Sequence, residues 1–134
     1  MLTNFTEIKE ILARTKTIAV VGLSPKENRP SNDVARYLMA AGYTIIPVNP
    51  GQSEILGQKC YAALTDIPEP VDLVDIFRRA DEVGPVVDQA IAMGAKVVWM
   101  QQGIVNEEAA QAARKAGLTV IMDRCLKVEH AALA

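Results

Sequence analysis

The sequence predicts an α/β fold, a three-layer doubly wound sandwich around a mainly parallel sheet of five strands or slightly more. Three observations point there. Short apolar runs rich in β-branched residues recur along the chain, such as IAVV at 18–21 and VVWM at 97–100, as expected of strands buried on both faces of a parallel sheet. Between the runs lie segments of helical periodicity, stopped by Gly42, Gly94 and Gly117. The alternation fills all 134 residues, a length that fits one domain, 1–134, with a single core.

The elements follow in order. Phe5, Ile8, Ile11 and Leu12 give a leading helix over 4–14, with Thr3 or Asn4 as cap. The first strand, 18–21, ends at Gly22, and after a polar loop Ser31 or Asn32 is expected to cap a helix whose buried stripe is Val34, Ala35, Leu38 and Ala41. The second strand, 43–48, runs into Asn49-Pro50-Gly51, three turn formers in succession. Residues 51–70 are less regular, with one short strand or helical turn near 60–64, and 71–77 is the third strand. Residues 81–93 form a helix with Pro85 in its first turns, where the missing N–H is tolerated. A fourth strand at 96–100, an alanine-rich helix opened by Asn106 or Glu107, and a fifth strand at 118–122 complete the sheet; the tail 123–134 is irregular or a short helix.

Composition narrows the function. Hydrophobic residues make up 50% and aromatics only 4%, so the core is aliphatic. A formal net charge of −2 argues against a general nucleic-acid binder. With one histidine and two distant cysteines, Cys60 and Cys125, no metal site is predicted, and both thiols are expected to be buried and inert. The beginning of the chain resembles no secretion signal, and no segment approaches the roughly 20 apolar residues of a membrane helix. The expected location is cytoplasmic, with no membrane partner.

In a doubly wound sheet the ligand crevice opens at the carboxyl ends of the strands, here 22–31, 49–51, 77–83 and 101–104. The first loop, GLSPKENRPS, runs from a strand to a helix start, where unpaired N–H groups and the helix dipole favour a phosphate. It has one glycine where a dinucleotide fingerprint has three, and no GxxxxGK[ST]. Its length leaves room for a highly charged group, with Ser24 and Ser31 as hydroxyls and Lys26 and Arg29 as cations. At the end of the second strand, where NAD folds place an acid on the ribose, Asn49 stands instead. A neutral Asn admits a phosphorylated ribose. In the third loop Phe77 suits an adenine and Arg78 a phosphate, whereas Arg79 is expected to be solvated. In the fourth, Gln101 offers an amide, Gly103 a close backbone approach, and Trp99 belongs to the core.

Five segments in order, AVVGLSPKENRPS, IIPVNPG, DLVDIFRRADEV, VVWMQQGI and MDRCLKVEH, resemble the stand-alone CoA-binding domain proteins, which are similar in turn to the N-terminal domain of the succinyl-CoA synthetase α subunit. The resemblance implies a Rossmann-like fold that binds coenzyme A or an acyl-CoA without a demonstrated reaction. By position it implies contacts from Gly22, Ser24, Lys26, Arg29, Pro30, Ser31, Asn49, Pro50, Phe77, Arg78, Val83, Gln101 and Gly103, and no catalytic residue. His130, in the tail, is expected to cap or pack rather than accept a phosphoryl group. Two other classes stay open: an NAD(P)-linked oxidoreductase or CoA-ligase subunit that needs a partner chain, and a regulatory interaction domain with an empty crevice. The alanine-rich helix allows a homodimer without requiring one.

Overall fold

A computed structural model describes residues 4–133. In chain order it contains α1 (Phe5–Arg14), β1 (Thr17–Val21), α2 (Pro30–Ala40), β2 (Thr44–Val48), β3 (Glu54–Ile55), β4 (Gln58–Lys59), β5 (Leu73–Ile76), α3 (Val83–Ala92), β6 (Val97–Met100), α4 (Glu107–Lys115), β7 (Thr119–Ile121) and α5 (Leu126–Ala131). Five strands form one parallel sheet in the order β2-β1-β5-β6-β7. The expected five-stranded, doubly wound sandwich is therefore the fold, with β1 starting one residue before the expected run and the other four strands trimmed by one or two residues at one or both ends.

Period-two alternation divides the strand side chains between two cores. Ile18, Val20, Ile45, Leu73, Trp99 and Ile121 face α1, α2 and α5. Ala19, Val21, Ile46, Val74, Ile76 and Met100 face α3 and α4, where Ala109, Ala110 and Ala113 give α4 a small-residue buried face. Because both faces are covered, β5 and β6 are buried at every position, and the apolar runs need no polar side.

Local chemistry explains where the elements depart from expectation. At α1 the cap is Asn4, whose side chain accepts the Glu7 amide at 2.8 Å; Thr3 lies outside the described residues, as does Ala134. At α2 neither Ser31 nor Asn32 is the cap. Proline is preorganised for the first helical position and has no N–H to satisfy, so the helix begins two or three residues earlier, at Pro30, with Arg29 flanking it. Residues 51–70 hold the small antiparallel hairpin of β3 and β4 and a 3-10 turn at Leu64–Asp66. The hairpin turns through Leu56 and Gly57 at φ 55° and 74°; a leucine in that region hides the turn from a search for Asn-Gly or Asp-Gly. A second 3-10 turn, Ala80–Glu82, leads into α3.

The tail is held to the body by its side chains. His130 shares a 2.8 Å hydrogen bond between Nδ1 and the Tyr37 hydroxyl and meets the Tyr37 and Tyr43 rings edge-on. Lys127 reaches Asp33 of α2 at 2.8 Å. His130 is thus a packing residue that docks α5 on α2.

Candidate functional site

The strand order reverses between β2-β1 and β1-β5, so the crevice expected of such a sheet opens beyond Val21 and Ile76. The chain immediately past these residues is drawn together. Gly22 donates to the Val48 carbonyl at 2.9 Å and Phe77 to the Val21 carbonyl at 2.8 Å. Gly22 has φ 85°, and a Cβ there would overlap the Phe77 carbonyl oxygen. Only glycine meets both demands.

Buried polar side chains then brace the first loop. Ser31 Oγ accepts the Ser24 amide at 3.0 Å, and Ser24 Oγ accepts the Lys26 amide at 3.1 Å. Asn32 Nδ2 donates to the Ser24 carbonyl at 2.9 Å. From β2, Asn49 Nδ2 donates to the Leu23 carbonyl at 2.9 Å while its Oδ1 accepts the Gly51 amide. Asn49 is therefore a brace between two loops that also keeps this strand end free of charge.

The result is a crevice of about 480 Å³ lined by Gly22, Ser24, Arg29, Pro30, Ser31, Phe77, Arg78, Arg79, Glu82 and Ile104. Its charge is net positive, with Arg29, Arg78 and Arg79 in the lining against Glu82, which pairs with Arg79. The start of α2 brings the positive end of a helix dipole, and neither Arg29 nor Arg78 makes an ion pair among the described residues. Lys26 stands exposed on the same loop, outside the lining. The acid in the first turn of α2, Asp33, is answered by Lys127 and Arg36; its hydrogen bond to Lys127 does most to hold its carboxyl below the ordinary range. Arg79, expected in solvent, is exposed but held by Asp81 at 3.3 Å and Glu82 at 3.6 Å at the crevice edge.

Two smaller cavities adjoin. One, of about 370 Å³, lies on the α2–α5 side and is lined by Pro30, Val34, Phe77, Gln101, Gln102, Ile104 and Cys125. The other, of about 120 Å³, includes Val48, Pro50, Leu64 and Arg78. The sequence-predicted set is thus only partly convergent. Gly22, Ser24, Arg29, Pro30, Ser31, Phe77 and Arg78 come together in the crevice, and Pro50 and Gln101 line the flanking cavities. Gln101 is 5% exposed and its Oε1 accepts the Leu126 amide at 3.2 Å. Gly103 gives its amide to Asp123, and Val83 is fully buried in the α3 core, away from the crevice lining. Ile104 and Glu82, which sequence reading passed over, line the crevice because the loops after β6 and before α3 fold back over it; neither residue type carries a local signal for that.

The two thiols differ. Cys60 is buried, and that burial pushes its thiol up, against a weak hydrogen bond to the Asn49 carbonyl at 3.5 Å. Cys125 is half-buried and faces the 370 Å³ cavity; the expectation that both are buried fails for it. Trp99 is core, as expected, and its Nε1 donates to the Arg124 carbonyl at 2.8 Å. Beside it in register on β5, Asp75 is fully buried with neither carboxyl oxygen hydrogen-bonded. Desolvation drives its pKa well above the ordinary 3.8, so the native carboxyl is favoured in its neutral form.

Comparison with known proteins agrees with this architecture. A family model described as CoA binding domain matches residues 16–131. The chain is 50% identical over 125 residues to the protein YneT of Bacillus subtilis (strain 168), covering 93% of each. A solved structure of a protein from Pyrococcus horikoshii OT3 superposes with a TM-score of 0.95 at 45% identity, covering 98% of this chain and 92% of the other. An acetate–CoA ligase (ADP-forming) of Archaeoglobus fulgidus is 30% identical over 135 residues. The match takes in 93% of this chain but only 20% of the ligase. No helix among the described residues is long and apolar enough to cross a membrane.

Proposed function

This chain belongs to the CoA-binding domain family, and from that premise we propose that it holds coenzyme A or an acyl-CoA in the crevice between β1 and β5, as a binding domain without chemistry of its own. The observation that carries the reading is the convergence of the α2 helix start with the unpaired Arg29 and Arg78 on one cavity. The pyrophosphate lies at the helix start, taking the Ser31 amide, since Pro30 has no N–H and the Asn32 and Asp33 amides donate to the Arg29 carbonyl, together with charge-assisted bonds from Arg29. Arg78 lies between the crevice and the β2 side and serves the ribose phosphate, with Lys26 adding longer-range attraction. The Phe77 ring supplies an apolar surface against the nucleotide.

CoA is favoured over NAD by the same geometry. Asn49 places no carboxylate where an NAD fold holds the ribose, and its amide is occupied in bracing Leu23 and Gly51. A ribose phosphate therefore meets cations and no fixed anion at that strand end. Calorimetric titration of the purified chain with CoA, dephospho-CoA, NADH and ATP tests this. The expected order places CoA tightest, with dephospho-CoA weaker for want of the phosphate. Tighter binding of NADH than of CoA overturns the reading, and binding of none of the four favours an interaction domain.

A further inference from the structure

The loop between β1 and α2 carries Lys26 and Arg29, yet an exposed polar stretch of chain has no fixed shape of its own. One residue outside the crevice lining supplies it. Arg36, in the second turn of α2, donates through Nε to Asn32 Oδ1 at 2.8 Å and through Nη2 to the Glu27 carbonyl at 3.0 Å. Among the described residues no other side chain of α2 hydrogen-bonds residues 25–28. Asn32 passes the constraint on. It is 2% exposed, so both ends of its amide need partners. A guanidinium only donates, so Arg36 turns the oxygen end toward itself and leaves Nδ2 for the Ser24 carbonyl at 2.9 Å. Ser24 in turn gives its amide to Ser31 Oγ and takes the Lys26 amide on its own Oγ. Asp33 lies 3.9 Å from Arg36 and takes Lys127 at 2.8 Å instead, so the guanidinium fork is left to the loop.

We propose that Arg36 is a positioning residue for the anion site: it touches no phosphate itself and holds the loop in the shape in which Lys26, Arg29 and the Ser31 amide meet one. The inference rests on the CoA reading above and names the residue that orders the loop on which that reading depends. Arg36 is absent from the crevice lining, so its effect is conformational. A ligand that needs one loop shape binds more weakly in proportion to the fraction of molecules that hold that shape. Strapped at Glu27, and at Ser24 through Asn32, the loop keeps the shape before any ligand arrives. Charge attraction acting alone has a different signature. Any cation at position 36 serves it, and salt removes it.

The test compares Arg36→Met, which removes the fork and keeps an unbranched stem, with Arg36→Lys, which keeps the charge without the fork. Both are titrated calorimetrically with CoA at low and high salt, and amide hydrogen exchange is followed in the unliganded proteins. Each variant is expected to bind CoA about tenfold more weakly, the fall that follows when the loop holds its shape about one tenth of the time, and to keep that ratio to wild type at high salt. The Ser24 and Lys26 amides are expected to exchange at least about tenfold faster in both, while amides of β1 and β5 keep their wild-type protection and report an intact fold. Wild-type affinity in Arg36→Met, unchanged exchange at Ser24 and Lys26, or a loss that Lys repairs and high salt erases overturns the proposal. Absence of CoA binding by the wild-type chain defeats the CoA reading instead, and the exchange rates still decide whether Arg36 straps the loop.

Discussion

The two ends of the parallel sheet each carry a cavity, and the larger is the less informative. At the amino ends a groove of about 520 Å³ is lined by Arg14, Asp72 and Lys96 among others, where Asp72 offsets Lys96 and Arg14 stands without an ion pair among the described residues, away from any helix start. Asp72 Oδ2 accepts the Lys16 and Thr17 amides at 3.0 Å each, its other oxygen faces Lys96 Nζ at 3.9 Å, and Arg14 Nε donates to the Glu10 carbonyl. At the carboxyl ends the crevice of about 480 Å³ keeps Arg29 and Arg78 without ion pairs among the described residues, at the start of a helix. Volume does not separate the ends. The meeting of two unpaired cations with a helix start does, because together they favour an anion.

Substitutions sharpen the contrast, beginning with the largest effect. Gly22→Ala drives a Cβ into the Phe77 carbonyl at a φ that alanine resists, and is expected to cost about 3 kcal/mol in urea unfolding and to abolish CoA binding. Wild-type stability with wild-type affinity would mean that the two loops are not locked as described.

Asp75→Asn removes the one buried carboxyl without a hydrogen-bond partner among the described residues. Its folded pKa is raised above 3.8, so the folded chain binds more protons than the unfolded chain between the two values. The stability tied to Asp75 is fully present below 3.8 and falls as pH rises through that window, by about 1.4 kcal/mol per unit. The Asn variant is expected to flatten urea melts over this range and to be the more stable at neutral pH. Superimposable pH profiles would show that Asp75 is ionised or solvated in the native state. At the other end, Asp72→Ala leaves two partly hydrated amides without an acceptor and is expected to cost about 1 kcal/mol with CoA affinity unchanged; weaker CoA binding there would undo the division between the ends. Lys26→Ala, the mildest change, is expected to weaken CoA by less than about 1 kcal/mol, being exposed and outside the crevice lining.

What the sequence revealed and concealed follows the same physics. The five strands were legible because burial on both faces leaves an unbroken apolar record, and Gly22, Arg29 and Arg78 were legible because they stand at strand ends where a doubly wound sheet opens. The reason for Gly22 was not, since the Phe77 carbonyl that forbids a side chain lies 55 residues away in sequence. Ser31 and Asn32 read as caps by residue type, yet Pro30 took the helix start and freed both side chains to brace the loop. Val83 was placed at the ligand by family position, whereas its strand-end neighbourhood turns inward and the side chain is core. Asp75, inside the run LVDIF, shows no paired-carboxylate spacing that singles it out, because a buried orphan carboxyl leaves no periodic trace.

The central claim is that Arg29 and Arg78 are left unpaired in order to hold the phosphates of CoA. It is tested most directly by titrating the wild-type chain and the Arg29→Ala/Arg78→Ala double variant with CoA at low and high salt. Each charge-assisted bond is worth about 1.5–3 kcal/mol, so the double variant is expected to bind at least about 100-fold more weakly, with a flatter salt dependence and an unchanged unfolding midpoint. Equal affinity and equal salt dependence in the two proteins would place both arginines in solvent and contradict the account.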